Sequence, residues 1–242
     1  MKSVLVNTIV FMNKILTQKD GFLDGFPIFL GYFSTAIAFG LICRNINISL
    51  FNSTLISMTS FAGSGQFLMI NLLSNGALIV ELFISILLIN LRYVFMGASL
   101  NQRLPKNITR LKKMIVAFST TDEIFSVAIL KPQQLNFKYL FSLELTSYSG
   151  WVLGTITGYI IGIALPHNLQ LALAITLYAM FASLWGCETK KHGYKIIIIG
   201  LTSALINSFL ILILNIAIGW SFVIAMLSAT IIGSFLLRGE HV

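Results

Sequence analysis

Three groups of residues in this 242-residue chain carry polar chemistry inside otherwise apolar stretches. The run Ser57-Met58-Thr59-Ser60-Phe61-Ala62-Gly63-Ser64-Gly65-Gln66-Phe67 sets hydroxyls, glycines and an amide within one of them. Asn90-Leu91-Arg92 places an amide and a guanidinium late in a second, and Thr121-Asp122-Glu123 places two carboxyls in a third. Hydrocarbon offers no water to an unwound backbone, so a break at that depth survives only where protein or a wet cavity surrounds it. Transporters place broken helices of this kind at their substrate sites. A break at Gly63-Ser64-Gly65 exposes amides and carbonyls to a zwitterionic head. Ser60, Ser64 and Gln66 add hydrogen bonds there, with Asn90 counted in the same set, and Phe61 and Phe67 can flank an aliphatic side chain. The competing reading is close helix packing, because small residues let backbones approach.

The charged residues leave alternatives open. Intramembrane carboxyls are costly unless paired or wet. Asp122 and Glu123 can therefore neutralise Arg92, carry a coupling proton, or answer a helix dipole. Arg92 reads as a snorkelling residue, an ion-pair partner or part of a functional site. Glu81 reads as an exposed group or an N-terminal dipole partner, and Glu144 as interfacial.

Enzyme chemistry fails on inventory. Ala62-Gly63-Ser64-Gly65 has the look of an intramembrane serine loop, but such a serine needs a general base. His167, His192 and His241 all fall in loops or the tail. There is no HExxH, P-loop or dinucleotide glycine fingerprint. A retinal protein needs a lysine in its last span, and none follows Lys195. Cys43 and Cys187 have no metal-ligand spacing and read as small buried apolar residues. The expectation is no catalysis, no cofactor and no metal.

Composition supplies the solvent. Hydrophobic residues make up 57% of the chain and charged residues 10%, with a mean hydropathy of +0.89. Ordinary globular domains are about 25% charged, so this chain lacks the polar surface to cover itself, and a bilayer surrounds it. The formal net charge of +8 lies between apolar runs. That distribution fits anchoring at the cytoplasmic membrane face and excludes a nucleic-acid partner.

The elements that must position the polar groups are helices. The expected fold is all-α and polytopic, with about seven transmembrane helices and one or two broken or re-entrant segments. Residues 1–20 form a cytoplasmic or interfacial lead-in, and 21–242 a single membrane domain. Apolar spans are expected at about 22–43, 77–100, 139–165, 169–187, 196–217 and 220–237, with Pro27 near the start of the first. The segments 51–73 and 114–130 are polar or short enough to turn back. If both do, the basic loop 101–113 and all other basic loops fall inside, with only Arg44 outside and Arg92 within a span, as the positive-inside rule demands. A seven-crossing alternative starts outside and has only 114–130 turning back. Gly150, Gly154, Gly158 and Gly162 recur every four residues. On a helix they form one slowly winding groove against which a second backbone can pack.

These residues resemble the large subunit of the branched-chain amino acid exporters, the AzlC-like family. The resemblance lies in Gly25-Phe26-Pro27-Ile28 with Ala38-Phe39-Gly40, in Phe61 to Phe67, and in Ile89-Asn90-Leu91-Arg92-Tyr93 with Leu104-Pro105. Thr121-Asp122-Glu123 and the glycine-spaced span starting at Trp151 also fit the pattern. It implies a permease of the bacterial cytoplasmic (inner) membrane that exports leucine, isoleucine, valine and often methionine, driven by the proton gradient. It also implies a much smaller hydrophobic partner, an AzlD-like subunit. Tyr93 departs from the pattern, since a histidine is common after the Asn-Leu-Arg run.

Overall fold

Thr17 starts the first helix well before the apolar run begins. Its Oγ1 accepts from the Asp20 amide at 3.3 Å, and Asp20 Oδ2 accepts from the Thr17 amide at 2.9 Å, a reciprocal capping box. Helix α1 therefore runs Gln18–Asn45 and Pro27 lies in its interior, not in its first turn as expected. The ring removes one helical hydrogen bond there.

The structure is a computed structural model that describes residues 15–164, 166, 168–169, 175, 182, 185–186, 189–190 and 193–236. The lead-in up to residue 14, most of the span expected at 169–187, Cys187, His167, His192 and His241 lie outside the described residues. After α1 come α2 (Leu50–Thr59), α3 (Gly63–Ser74), α4 (Ile79–Arg103), α5 (Arg110–Ser119), α6 (Asp122–Ile129) and α7 (Phe137–Ile161). A 3-10 turn, Gly162–Ala164, closes α7, and α8 (Tyr194–Leu212) and α9 (Ile218–Leu236) follow. The fold is all-α among the described residues, and α1, α4, α8 and α9 are long and apolar enough to cross a membrane.

Both segments expected to be interrupted are interrupted. The first breaks between α2 and α3, the second between α5 and α6. Contacts divide the chain into two compact units: residues 1–63 with 90–170, and residues 64–89 with 171–242.

In the first unit α1 and α7 lie side by side and run in the same direction. Asn136 Nδ2 donates to the Leu16 carbonyl at 2.8 Å at their N-terminal ends. Arg44 Nη1 donates to the Tyr159 carbonyl at 2.7 Å and the Ile160 carbonyl at 3.1 Å at their C-terminal ends. Between these clasps, Gly150, Gly154 and Gly158 face the backbone of Phe29, Phe33 and Ile37, and Gly162 faces the Leu41 side chain. Gly21, Gly25 and Gly40 on α1 return the arrangement against the α7 backbone. Glycine on both helices lets the main chains touch.

The parallel pair constrains topology. Arg103 at the end of α4 donates to the carbonyls of Ile129 (3.0 Å), Lys131 (2.5 Å) and Gln133 (3.1 Å). Lys131 Nζ lies 2.6 Å from Asp24 Oδ2, which also accepts from Tyr139 Oη at 2.8 Å. Lys112 stands over the Phe137 ring at 5.2 Å. Both feet of the α5–α6 hairpin thus stand at the end where α1 and α7 begin. Lys19, Lys106, Arg110, Lys113 and Lys138 belong to the same end, which the positive-inside rule assigns to the cytoplasm. The α5–α6 segment enters and leaves on one side. The seven-crossing alternative requires α1 and α7 to be antiparallel, and their parallel packing rules it out.

In the second unit α8 and α9 form an antiparallel pair. Ser221 Oγ donates to Asn207 Oδ1 at 2.8 Å near their connection, and Gly233 lies against Ile199 near their far ends. Glu81 sits in the first turn of α4 and accepts from the Leu78 amide at 3.2 Å. It is 1% exposed, so of the two expected roles it takes the N-terminal one and is not a surface group. Gly219 of α9 leaves the room its carboxyl occupies: a Cβ there would stand 2.6 Å from Glu81 Oε2.

Candidate functional site: two broken helices on one tyrosine

Helix α2 descends along α7 from the end opposite the basic loops. Ser57 Oγ lies 2.8 Å from Thr155 Oγ1, and the Met58 carbonyl accepts from Tyr148 Oη at 3.0 Å. The chain leaves the helix at Ser60 (φ −121°, ψ 77°), and the Ala62 amide folds back onto the Ser60 carbonyl at 2.7 Å. Tyr148 and Trp151 lie about 17–21 Å along α7, half of its length. The break is therefore at mid-depth, where no water would reach a bare backbone.

Its position differs from expectation by three residues. Ser60, Phe61 and Ala62 are the unwound part, while Gly63, Ser64 and Gly65 form the first turn of α3. Gly63 serves close approach: a Cβ on it would lie 2.7 Å from Trp151 Cη2. Ser64, Gly65, Gln66 and Phe67 are buried in the second unit.

Helices α5 and α6 come from the cytoplasmic end and break at Thr120 and Thr121. Thr121 caps α6, its Oγ1 accepting from the Ile124 amide at 3.5 Å. Ser119 Oγ and Thr120 Oγ1 fold back onto the Ile115 and Val116 carbonyls at 3.1 and 2.6 Å, satisfying carbonyls at the end of α5.

Tyr32 of α1 stands between the two breaks. It lies about 21 Å from the start of its helix, again half way. Its phenol donates to Thr121 Oγ1 at 2.6 Å, and Glu123 Oε2 lies on the same oxygen. Its ring meets Phe61 edge-on at 5.7 Å and Trp151 edge-on at 5.6 Å, and Phe61 meets Tyr148 at 5.3 Å. Trp151 is 2% exposed and also packs on Phe39 at 6.4 Å. An aromatic wall thus faces one break and a carboxyl the other.

Arg92 reaches this cluster from α4. Its Nη1 lies 2.8 Å from Asp122 Oδ2, and its guanidinium stands 5.1 Å from the Tyr93 ring centre. Of the roles open to it, Arg92 takes the ion pair. The pair is partly exposed, so its net contribution is about 1 kcal/mol. Asp122→Asn and Arg92→Gln are each expected to lower the midpoint of thermal unfolding. The double variant should recover part of the loss, with a coupling of about 1 kcal/mol in a double-mutant cycle. Strict additivity would reject the pair.

The fold therefore brings Phe61, Gly63, Asp122, Glu123 and Arg92 to one level of the first unit. Asn90 lies on α4 two residues before Arg92, and its Oδ1 is buried with no hydrogen-bond donor among the described residues. Glu144 departs from the interfacial expectation. It is 1% exposed, and neither carboxyl oxygen has a hydrogen-bond partner among the described residues. It sits one turn before Tyr148, and the α1–α7 clasp buries that stretch of helix. Sequence reasoning missed Tyr32, Tyr148 and Trp151 as site residues. The signal for Tyr32 was its place on the glycine face of α1, three to four residues from Ile28, Ala36 and Phe39 in turn, where a side chain must point inward.

Interrupted helices of opposite entry meeting at mid-depth in an all-α, multi-pass protein are an arrangement that membrane transporters use at their substrate sites. The family model described as "AzlC protein" matches residues 27–165, and the chain belongs to that family. A membrane protein of Archaeoglobus fulgidus is 34% identical over 172 residues, covering 70% of this chain and 75% of the relative. The inner membrane protein YgaZ of Escherichia coli is 29% identical, covering 69% and 71%. The branched-chain amino acid transport protein AzlC of Bacillus subtilis is 27% identical over 214 residues, covering 84% and 82%. No solved structure matches the chain. The protein is a multi-pass membrane transporter of the cytoplasmic (inner) membrane and works within the bilayer.

Proposed function

We propose that this transporter exports branched-chain amino acids (leucine, isoleucine, valine and methionine) at the expense of the proton gradient. One observation carries the reading: two broken helices of opposite entry converge on Tyr32 with aromatic rings to one side and Arg92, Asp122 and Glu123 to the other. An aliphatic side chain suits the rings, and a zwitterionic head suits freed backbone groups and charges. Ser60, Phe61 and Gly63 bind the substrate. Asn90 completes the binding set within the first unit. The name of the Bacillus subtilis relative, a branched-chain amino acid transport protein, supports the substrate class. Gly150, Gly154, Gly158 and Gly162 serve packing, and transport requires no catalytic residue. A small hydrophobic AzlD-like subunit completes the working transporter. Residues 21–242 act as one membrane domain behind a short lead-in.

The test uses the full chain in proteoliposomes, alone and with the small subunit, with labelled leucine. Leucine flux that rises with an imposed proton gradient supports the reading. Flux indifferent to the gradient identifies a passive channel. No flux in either preparation, with no leucine-induced thermal shift, leaves a structural subunit and rejects it.

A further inference from the structure

Tyr32 has one proton to donate and two oxygens to receive it. Its phenol oxygen stands 2.6 Å from Thr121 Oγ1 and within hydrogen-bonding reach of Glu123 Oε2. A phenol carries a single O–H, so it serves one acceptor at a time. An ionised carboxylate is the stronger acceptor and holds that hydrogen. A protonated Glu123 carries a hydrogen of its own, which it can give to the phenol oxygen, and the phenol hydrogen then turns to Thr121.

The charges around this switch leave one negative charge over. Asp122 is paired with Arg92 at 2.8 Å, so the two cancel, and Glu123 supplies the excess. One proton on Glu123 makes the cluster neutral. The titratable groups around Glu123 are Tyr32 from α1, Arg92 and Tyr93 from α4, and its neighbour Asp122. Helix α7 turns Tyr148 to Phe61 and Met58, and carries Glu144 one turn nearer the cytoplasm. Helix α5 carries Arg110, Lys112 and Lys113, all at its cytoplasmic start.

The ring of Tyr32 touches the other break. It stands edge-on to Phe61 and to Trp151, the residue on which Gly63 rests. We infer that Tyr32 is the positioning residue that couples a proton on Glu123 to the substrate break at Ser60–Gly63. When the proton arrives, the phenol O–H swings about its own C–O bond from Glu123 to Thr121, and the change in pull on the phenol oxygen is passed through the ring to Phe61 and Trp151. When the proton leaves, the pull toward Glu123 is restored. This rests on the exporter reading above and deepens it by assigning the proton to Glu123 and not to Asp122.

The test separates exchange from coupling in the full chain with its small subunit. Wild-type, Tyr32→Phe and Glu123→Gln proteins are reconstituted, and two rates are read: leucine counterflow without a gradient, and leucine accumulation driven by an imposed pH difference. Tyr32→Phe is expected to lower driven accumulation at least about tenfold more than it lowers counterflow. Glu123→Gln is expected to do the same, with counterflow no longer dependent on pH. Infrared titration supplies a readout free of transport: a carboxyl band that titrates in the wild type should vanish in Glu123→Gln and shift its midpoint in Tyr32→Phe. Wild-type accumulation in either variant overturns the coupling. So does loss of counterflow in both, or a carboxyl band that neither variant alters. A wild-type protein that exchanges no leucine sinks the exporter reading and takes this inference with it, whereas the other failures sink the inference alone.

Discussion

A Gly63→Leu variant is expected to insert, fold and fail to transport. The first atom of the new side chain would lie 2.7 Å from Trp151 Cη2 and 3.2 Å from Cζ3, inside contact distance. Trp151 cannot retreat, because Tyr32 stands 5.6 Å away on one side and Phe39 6.4 Å away on another. Overpacking of this kind costs about 1–3 kcal/mol. The clasped α1–α7 pair can absorb that cost, but the geometry of the break cannot. Leucine counterflow is expected to fall below detection while the variant elutes as a single species in detergent. Full counterflow would show that the Ser60–Gly63 turn does not shape the site. Gly63→Ala makes the same contact with less bulk and is expected to retain partial activity.

A Gly158→Leu variant is expected not to fold at all. A Cβ at Gly158 would overlap the Ile37 carbonyl oxygen and lie 2.6 Å from Ile37 Cα. These are main-chain atoms of the neighbouring helix, so only a separation of α1 from α7 relieves the overlap. Alanine alone costs about 3 kcal/mol, the upper end for overfilled cores, and leucine adds three further carbons to the same place. Loss of monodisperse protein on fluorescence-detected gel filtration is the expected outcome. Gly31→Leu on α1 is the control, because nothing lies within 4 Å of the Cβ it would add. That face is exposed, and leucine is at home there in lipid. If Gly158→Leu behaved like Gly31→Leu, close contact of the two main chains would not hold the unit together.

Much of this architecture could be read from residue types. Polar interruptions in apolar runs announced both breaks, because hydrocarbon leaves an unwound backbone few explanations. The four-residue glycine spacing announced a close partner for α7, although nothing in it pointed to α1. Partner choice depends on contacts across more than a hundred residues, which spacing within one helix does not encode. The placement of the first break failed for a related reason. Gly63 and Gly65 looked like the place where coiling stops, yet Gly63 is small because Trp151, 88 residues away in the chain, stands against it. Pro27 lies deeper in its helix than its place in the apolar run implies, because the capping box of Thr17 and Asp20 starts the helix earlier. The charges were legible as a set but not as pairs. Asp122 and Glu123 are adjacent in sequence, but the helix sends one to Arg92 and the other to Tyr32.

The depth of Glu123 carries an electrical consequence. A charge arriving there from either face has traversed about half of the insulating layer. The transmembrane voltage contributes roughly 2.3 kcal/mol per elementary charge per 100 mV over the full thickness. A proton resting at Glu123 therefore draws on about half of that work, and its onward release draws on the remainder. Under the proposal that Glu123 carries the coupling proton, membrane voltage and acidity act on one carboxyl, and either can drive the same step.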